Sequence, residues 1–268
     1  MSEIINHITA FQPVYRVLNR EENLDFYREV LGFKVLVEEG AMVWLGGHEA
    51  KKDRFQLEES PGFRPVEGLK KHGQTVIKAN SSEIEQLIVR NLDKISKVYK
   101  GKNGFAFSAL SPKAELFLVT SDLLTDLSSL TEIDKSEIEL EEDKTFKGLS
   151  DFEIIAMDLN VADQSIIEFY ESVFGLKAIN NQIEFPFVTL TFSVEESEDL
   201  AAGTDEVLDL EFLVFMIDKD FDLKDFAHQF SDVDGTYLDG SAKTFSLEVP
   251  DHVELWFCLL YTSDAADE

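Results

Sequence analysis

The strongest constraint on this chain is that it repeats itself. Residues 26–34 read FYREVLGFK and residues 169–177 read FYESVFGLK, with Phe26/Phe169, Tyr27/Tyr170, Val30/Val173, Gly32/Gly175 and Lys34/Lys177 in step. A second pair follows in the same order. FSALSPKAELFL (107–118) matches FSLEVPDHVELWF (245–257) apart from one inserted residue. Two matches in one order at similar spacing point to two halves of about 120 residues each.

Each half divides again. ITAFQPVYRVL alternates and is rich in Ile, Val and Tyr, which suits a strand. Asn19 is placed to cap a helix whose first turn holds Glu21 and Glu22. Leu24, Tyr27, Val30 and Leu31 form its buried stripe, and Gly32 is placed to end it in a left-handed conformation. FKVLVEE, AMVWLGG and RFQLEES read as three strands. QTVIKAN, SSEIEQLIVR, SKVYKG, GFAFSAL and AELFLVT repeat that order, with Ser81 and Ser82 ahead of Glu85 reading as a capping box. FEIIAMDLNV, QSIIEFYESVFG and EFPFVTLTFSV open a third unit. LEFLVFMID, LKDFAHQF and the strands through ELWF make a fourth.

The expected organisation is therefore a first domain over 1–120, an acidic linker over 121–149, a second domain over 150–257 and a distinct tail over 258–268. The linker reads as a solvated connector, partly helical or extended along the first domain. The tail, CLLYTSDAADE, resembles translated sequencing-adapter DNA and is excluded from the fold argument. It carries the chain's one cysteine, Cys258. The body then offers no disulfide, thiolate nucleophile or Cys-ligated zinc.

Composition narrows the function. Asp and Glu number 53 against 24 Lys and Arg, a formal charge of −29. Nucleic acid and anionic membrane surfaces are both poor partners for such a chain. No apolar run reaches the ~20 residues of a membrane span. The opening MSEIINHITAF lacks a basic segment followed by a long apolar one, so the expected location is cytoplasmic, with a surface or extracellular one left open. Protease motifs are missing. HEAKK at His48–Lys52 has Lys where a zincin has its second His, and VDGTYLDGS (233–241) reads as two turns. Aromatics such as Trp44, Phe187 and Trp256 are either core or the lining of an apolar pocket.

A β-α-β-β-β unit whose helix ends FYREVLGF resembles the vicinal oxygen chelate superfamily, which includes glyoxalase I, bleomycin-resistance proteins and extradiol dioxygenases. The resemblance covers 1–120 and 150–257. It implies an α+β fold of four βαβββ modules paired into two glyoxalase/bleomycin-resistance-like domains with curved mixed sheets. The tandem halves and acidic linker also resemble the CppA family of Gram-positive cocci, which carries the name of a proteinase degrading complement component three.

Metal-dependent members of the superfamily place His or Gln, Glu, His and Glu on four strands. Carried onto this chain, the first position falls on Gln12, the second on Glu58, the third about one residue from His72 and the fourth on Glu115. Such a set suits Zn²⁺ or another divalent ion. His72 lies in the run LKKHG, which reads as basic surface. In the second half the first position falls on Ala156 or Ile155, with Glu195, Glu211 and Glu254 near the others, and Ala or Ile cannot ligate. The resemblance leaves three functions open. One is a proteinase acting on complement component three, with unidentified catalytic residues. Another is a metal-free protein without a cofactor, binding a small apolar ligand or scaffolding a partner. The third is a divalent-metal enzyme of glyoxalase or dioxygenase type using the N-terminal domain.

Overall fold

The computed structural model describes residues 4–260. The first module runs β1 (Ile8–Val17), α1 (Arg20–Asp25), β2 (Lys34–Glu39), β3 (Met42–Gly46) and β4 (Asp53–Glu59), followed by a short β5 (Arg64–Pro65). The second is β6 (His72–Lys78), α2 (Ser81–Asn91), β7 (Lys97–Lys100), β8 (Phe105–Leu110) and β9 (Leu116–Thr120). The linker contributes β10 (Thr131–Ile133). The third module, β11 (Glu153–Val161), α3 (Gln164–Phe174), β12 (Gln182–Glu184) and β13 (Thr189–Val194), has two strands after its helix rather than three. After β14 (Val207–Leu208) comes the fourth: β15 (Leu210–Ile217), α4 (Leu223–His228), β16 (Tyr237–Leu238), β17 (Thr244–Glu248) and β18 (Glu254–Leu259).

Local chemistry sets these boundaries. The Asn19 side chain accepts from Glu22 N at 3.2 Å and starts α1, which continues as a π-helical turn over Phe26–Val30. Leu24, Tyr27, Val30 and Leu31 are all buried. Gly32 follows at φ +72°, a conformation that costs a residue with a Cβ. Helix α2 is capped by Asn80, not by Ser81 or Ser82: its side chain accepts from Ser82 N at 3.0 Å. Asn80 wins because its own backbone is extended while Ser81 is already helical.

Two curved eight-stranded sheets result. The first has the order β16-β17-β18-β15-β1-β4-β3-β2 and the second β10-β7-β8-β9-β6-β11-β13-β12. Their central joints are antiparallel pairs, β1 with β15 and β6 with β11. Module one therefore shares a sheet with module four, and module two with module three. Each sheet is completed by a unit from the other half, so neither half of the sequence closes a sheet alone.

Helices lie between the sheets. Tyr27 of the π-helical turn that continues α1 packs on Phe55 of the first sheet (ring centroids 4.8 Å) and on Phe117 of the second (5.7 Å). On α3, Phe174 meets Phe215 of the first sheet at 5.0 Å, while Tyr170 meets Phe192 of the second at 4.9 Å. The main core is this middle layer. It leaves each sheet an outer face turned away from its twin. The outer face of the second sheet carries a separate apolar cluster of Val76, Ala106, Leu118 and Ala156, and Leu127 and Leu130 of the linker pack onto it. The linker is thus built into the fold. It forms a 3-10 turn (Leu124–Ser129), joins the second sheet through β10 against β7, and buries Leu149 in the main core.

Candidate functional site on the outer face of the first sheet

Side chains directly opposite one another in a ladder share a face of the sheet. One row on the first sheet runs Trp44, Gln56, Val14, Phe212, Glu254 and Glu248. Gln12, Val214, Trp256 and Ser246 make the next. Their strand neighbours Phe11, Tyr15, Phe55, Phe215 and Phe257 point the other way, into the middle layer. The outer face is thus mixed in character, and both of the chain's tryptophans lie on it.

Three polar side chains are wired together at its centre. Gln12 Nε2 donates to the Asp53 carbonyl oxygen at 2.8 Å. Gln56 Nε2 donates to Gln12 Oε1 at 2.8 Å and to Asp53 Oδ2 at 3.2 Å. Gln12 is 6% and Gln56 7% exposed, so these bonds replace lost hydration. Burial raises the Asp53 carboxyl above its ordinary range, against the hydrogen bonds that favour its ionised form. Asp53 also lines, with Leu36, Val37, Glu39, Trp44 and Lys51, a cavity of about 280 Å³.

A charged group stands at the other end of β1. Arg16 Nη2 donates to Glu211 Oε1 at 2.5 Å, and its Nη1 lies 3.8 Å from Glu58 Oε1. The Phe63 ring covers the guanidinium at 4.6 Å, a cation–π contact. Burial, followed by the hydrogen bond to Glu58, pushes Glu211 up to about 9, so the neutral acid is its form at pH 7. Desolvation and the second carboxylate outweigh the attraction of Arg16. The charge held here is then one guanidinium against one carboxylate.

The four proposed ligands do not meet. Gln12 and Glu58 lie on the outer face of the first sheet. His72 and Glu115 belong to the second-sheet modules. The His72 ring enters the middle layer, 5.1 Å from Tyr15 and 5.8 Å from Phe117. Its Nε2 bonds Thr75 Oγ1 at 2.9 Å, which in turn bonds the Tyr15 hydroxyl at 3.2 Å. Desolvation pushes His72 down to about 3. Glu115 is paired with Lys70 and hydrogen-bonded by Ser111. The expectation that LKKHG is a surface run is corrected: Lys71 is 1% and His72 4% exposed. The segment passes inside because the carboxylate of Asp209 accepts the Lys71 backbone N–H at 2.6 Å, and the Ala202 carbonyl accepts its ammonium at 2.7 Å.

Comparison with known proteins settles the kinship. Residues 10–133 match the CppA N-terminal family model and residues 149–257 the CppA C-terminal one. The chain belongs to the CppA family. The crystal structure of the cppA protein from Streptococcus pneumoniae superposes with a TM-score of 0.76 at 30% identity, over 95% of this chain and 99% of that one. Glyoxalase I from Zea mays superposes at a TM-score of 0.54 and 15% identity, over 92% of this chain and 90% of that one, a likeness of fold alone. No curated protein matches the chain.

The register of this CppA chain places unlike residues at equivalent positions of its two modules on the first sheet. β1 and β15 cross at Pro13 opposite Leu213, with Gln12 facing Val214 and Val14 facing Phe212. Gln12 and Phe212 thus occupy equivalent places in the two modules. Gln56 pairs with Val14, and Trp256 with Val214, which makes Gln56 and Trp256 equivalent too. One module offers two amides where its partner offers two aromatic rings, tilted against each other with centroids 5.3 Å apart. Rings cannot replace ligands, and among the described residues no group of three or more His, Cys, Asp and Glu is placed to hold a metal. Sequence reasoning passed over Gln56, Asp53 and Arg16. The available signal was two glutamines, Gln12 and Gln56, inside otherwise apolar strands.

Proposed function

We propose that the chain is a small-ligand-binding protein that works without a resident metal, its site being the outer face of the first sheet around Gln12, Gln56 and Asp53. The observation that carries this reading is the pairing of a buried amide network with Phe212 and Trp256 across the β1–β15 joint. Apolar walls with a few fixed polar groups are what small-molecule sites are made of. The adjoining cavity is close to the lower end of the range of about 300–1,000 Å³ usual for such sites. Trp44 and Trp256 serve as reporters, so fragment binding here shifts tryptophan emission. Trp256→Ala and Gln56→Leu should each remove the shift while leaving the far-ultraviolet dichroism intact. Fragments that bind equally to both variants would place the site elsewhere.

Proteolysis of complement component three, carried by the family's name, ranks second. Among the described residues the side-chain hydrogen bonds of histidine run from His72 to Thr75 and from His252 to Glu248, none to a serine. Its test is incubation of the purified protein with complement component three beside inhibitors of each protease class. Inhibitor-sensitive cleavage would reverse the ranking.

A further inference from the structure

Within the cavity beside Trp44, the polar groups are unequal. Its acids are Asp53, half-buried at the floor, and Glu39, exposed at the rim; its one basic residue is Lys51, also exposed. Asp53 makes no ion pair among the described residues: the adjacent Arg54 turns to Asp151 at 3.1 Å. Gln56 uses its amide nitrogen on Gln12 and Asp53, which leaves its Oε1 free to accept from a ligand. Gln56 is the ladder partner of Trp44, so this oxygen belongs to the row that carries the indole. The floor therefore offers the Asp53 carboxylate and the Gln56 Oε1 lone pairs, while the donors among the lining residues are the Lys51 ammonium at the rim and the Trp44 indole N–H. Trp44 supplies the aromatic part of the lining, and Leu36 and Val37 the aliphatic part. A carboxylate beside an indole face favours a cation with N–H donors over a neutral or anionic group.

We propose that this cavity selects a small ligand bearing a protonated amine or guanidinium on an apolar body, the cation seated between the Trp44 indole and the Asp53 carboxylate. The inference rests on the reading of this face as a ligand site and names the ligand's chemical class. A bound cation returns to Asp53 the counter-charge the fold withholds. Lys51 is the internal competitor, a tethered ammonium at the rim.

Three probes of one shape test the class: phenethylamine, phenethyl alcohol and phenylacetate, titrated into the full chain by calorimetry and tryptophan emission. The amine is expected to bind about tenfold tighter than either other probe, a gap of about 1.4 kcal/mol. Asp53→Asn should weaken the amine about tenfold and leave the alcohol unchanged. Lys51→Ala, at an exposed residue that leaves the fold intact, should tighten the amine several-fold. Alcohol or phenylacetate binding as tightly as the amine, with the emission shift, overturns the ligand class and leaves the site standing. No change on Lys51→Ala together with unchanged affinity in Asp53→Asn overturns it as well. Failure of all three probes overturns the class, and failure of the fragment screen beside it overturns the site.

Discussion

The two outer faces descend from one repeated unit and have met opposite fates. On the second sheet the joint between modules pairs Ala156 with Val76 and Asp158 with Gln74, and linker residues Leu127 and Leu130 lie on the apolar cluster that holds Ala156 and Val76. On the first sheet the joint carries Gln12, Phe212 and Trp256, and a cavity opens beside Trp44 with no linker residue among its described lining. Duplication supplied two equivalent surfaces. The acidic linker covers the apolar part of one, and the other is left open beside Trp44. Function is best sought where the repeat has not been filled.

The largest expected effect tests the filling. Leu127→Ala with Leu130→Ala removes two partly buried leucines from the second face and should cost about 2–4 kcal/mol, below the sum for two fully buried leucines because both are half-exposed at the outset. Urea denaturation measures the loss, and dye binding to exposed apolar surface should rise. Amine binding at the first sheet should be unchanged. A loss under about 0.5 kcal/mol, the scale of ordinary surface changes, would mean that the linker merely rests there.

Much of this was legible in the sequence, for a physical reason: periodicity and capping are local. The stripe of Leu24, Tyr27, Val30 and Leu31, the Asn19 cap and the left-handed Gly32 can all be read within one turn of helix. Sheet partnership is not local. Nothing in β1 announces that its neighbour is β15, some two hundred residues away, rather than β6. The metal set Gln12, Glu58, His72 and Glu115 was assembled within one half, and the cross-half pairing divides it between two sheets. Lys71 and His72 misled for a related reason. A basic run reads as surface unless one knows that Asp209, from the fourth module, waits inside to accept the backbone.

The next effect turns to the β1–β15 joint, where Arg16 meets Glu211 and Glu58. Arg16→Met strands the Glu58 carboxylate beside Glu211 and should cost about 2–3 kcal/mol, less than a fully ionised buried pair because Glu211 is already neutral. The pH dependence carries the sign. Glu211 titrates near 9 in the folded chain and in the ordinary glutamate range when unfolded, so the folded state holds the extra proton between these values and stability falls as pH rises through them. Glu211→Gln, the isostere of the neutral acid, should flatten that alkaline limb. His72 acts on the acid side. Its folded value near 3 lies below the ordinary 6.5, so the unfolded chain binds the proton first and stability falls as pH drops from about 6.5 towards 3. Denaturant midpoints across this range should show a slope of up to about 1.4 kcal/mol per pH unit from each group. An unchanged alkaline limb in Glu211→Gln would refute the neutral assignment.

The smallest effect compares the two copies of the motif itself. Gly32 and Gly175 end equivalent helices at φ +72° and +66°. Alanine in that conformation costs about 1–2 kcal/mol wherever it stands. Space separates the two sites. A Cβ on Gly175 would meet nothing within 4 Å, so Gly175→Ala should show only the lower conformational cost, about 1 kcal/mol. A Cβ on Gly32 would lie 2.8 Å from Leu87 Cδ2 and 3.2 Å from Leu149 N, the end of the linker. Leu149 N also donates to the Gly32 carbonyl at 2.8 Å, so the backbone there has little room to retreat. Gly32→Ala should therefore cost about twice as much, the excess coming from strain against α2 and the linker's exit. Equal losses in the two variants would mean that Leu87 repacks freely. Then the first copy of the motif is no more tightly bound to the linker than the second, and the asymmetry between the faces arises only where Leu127 and Leu130 lie.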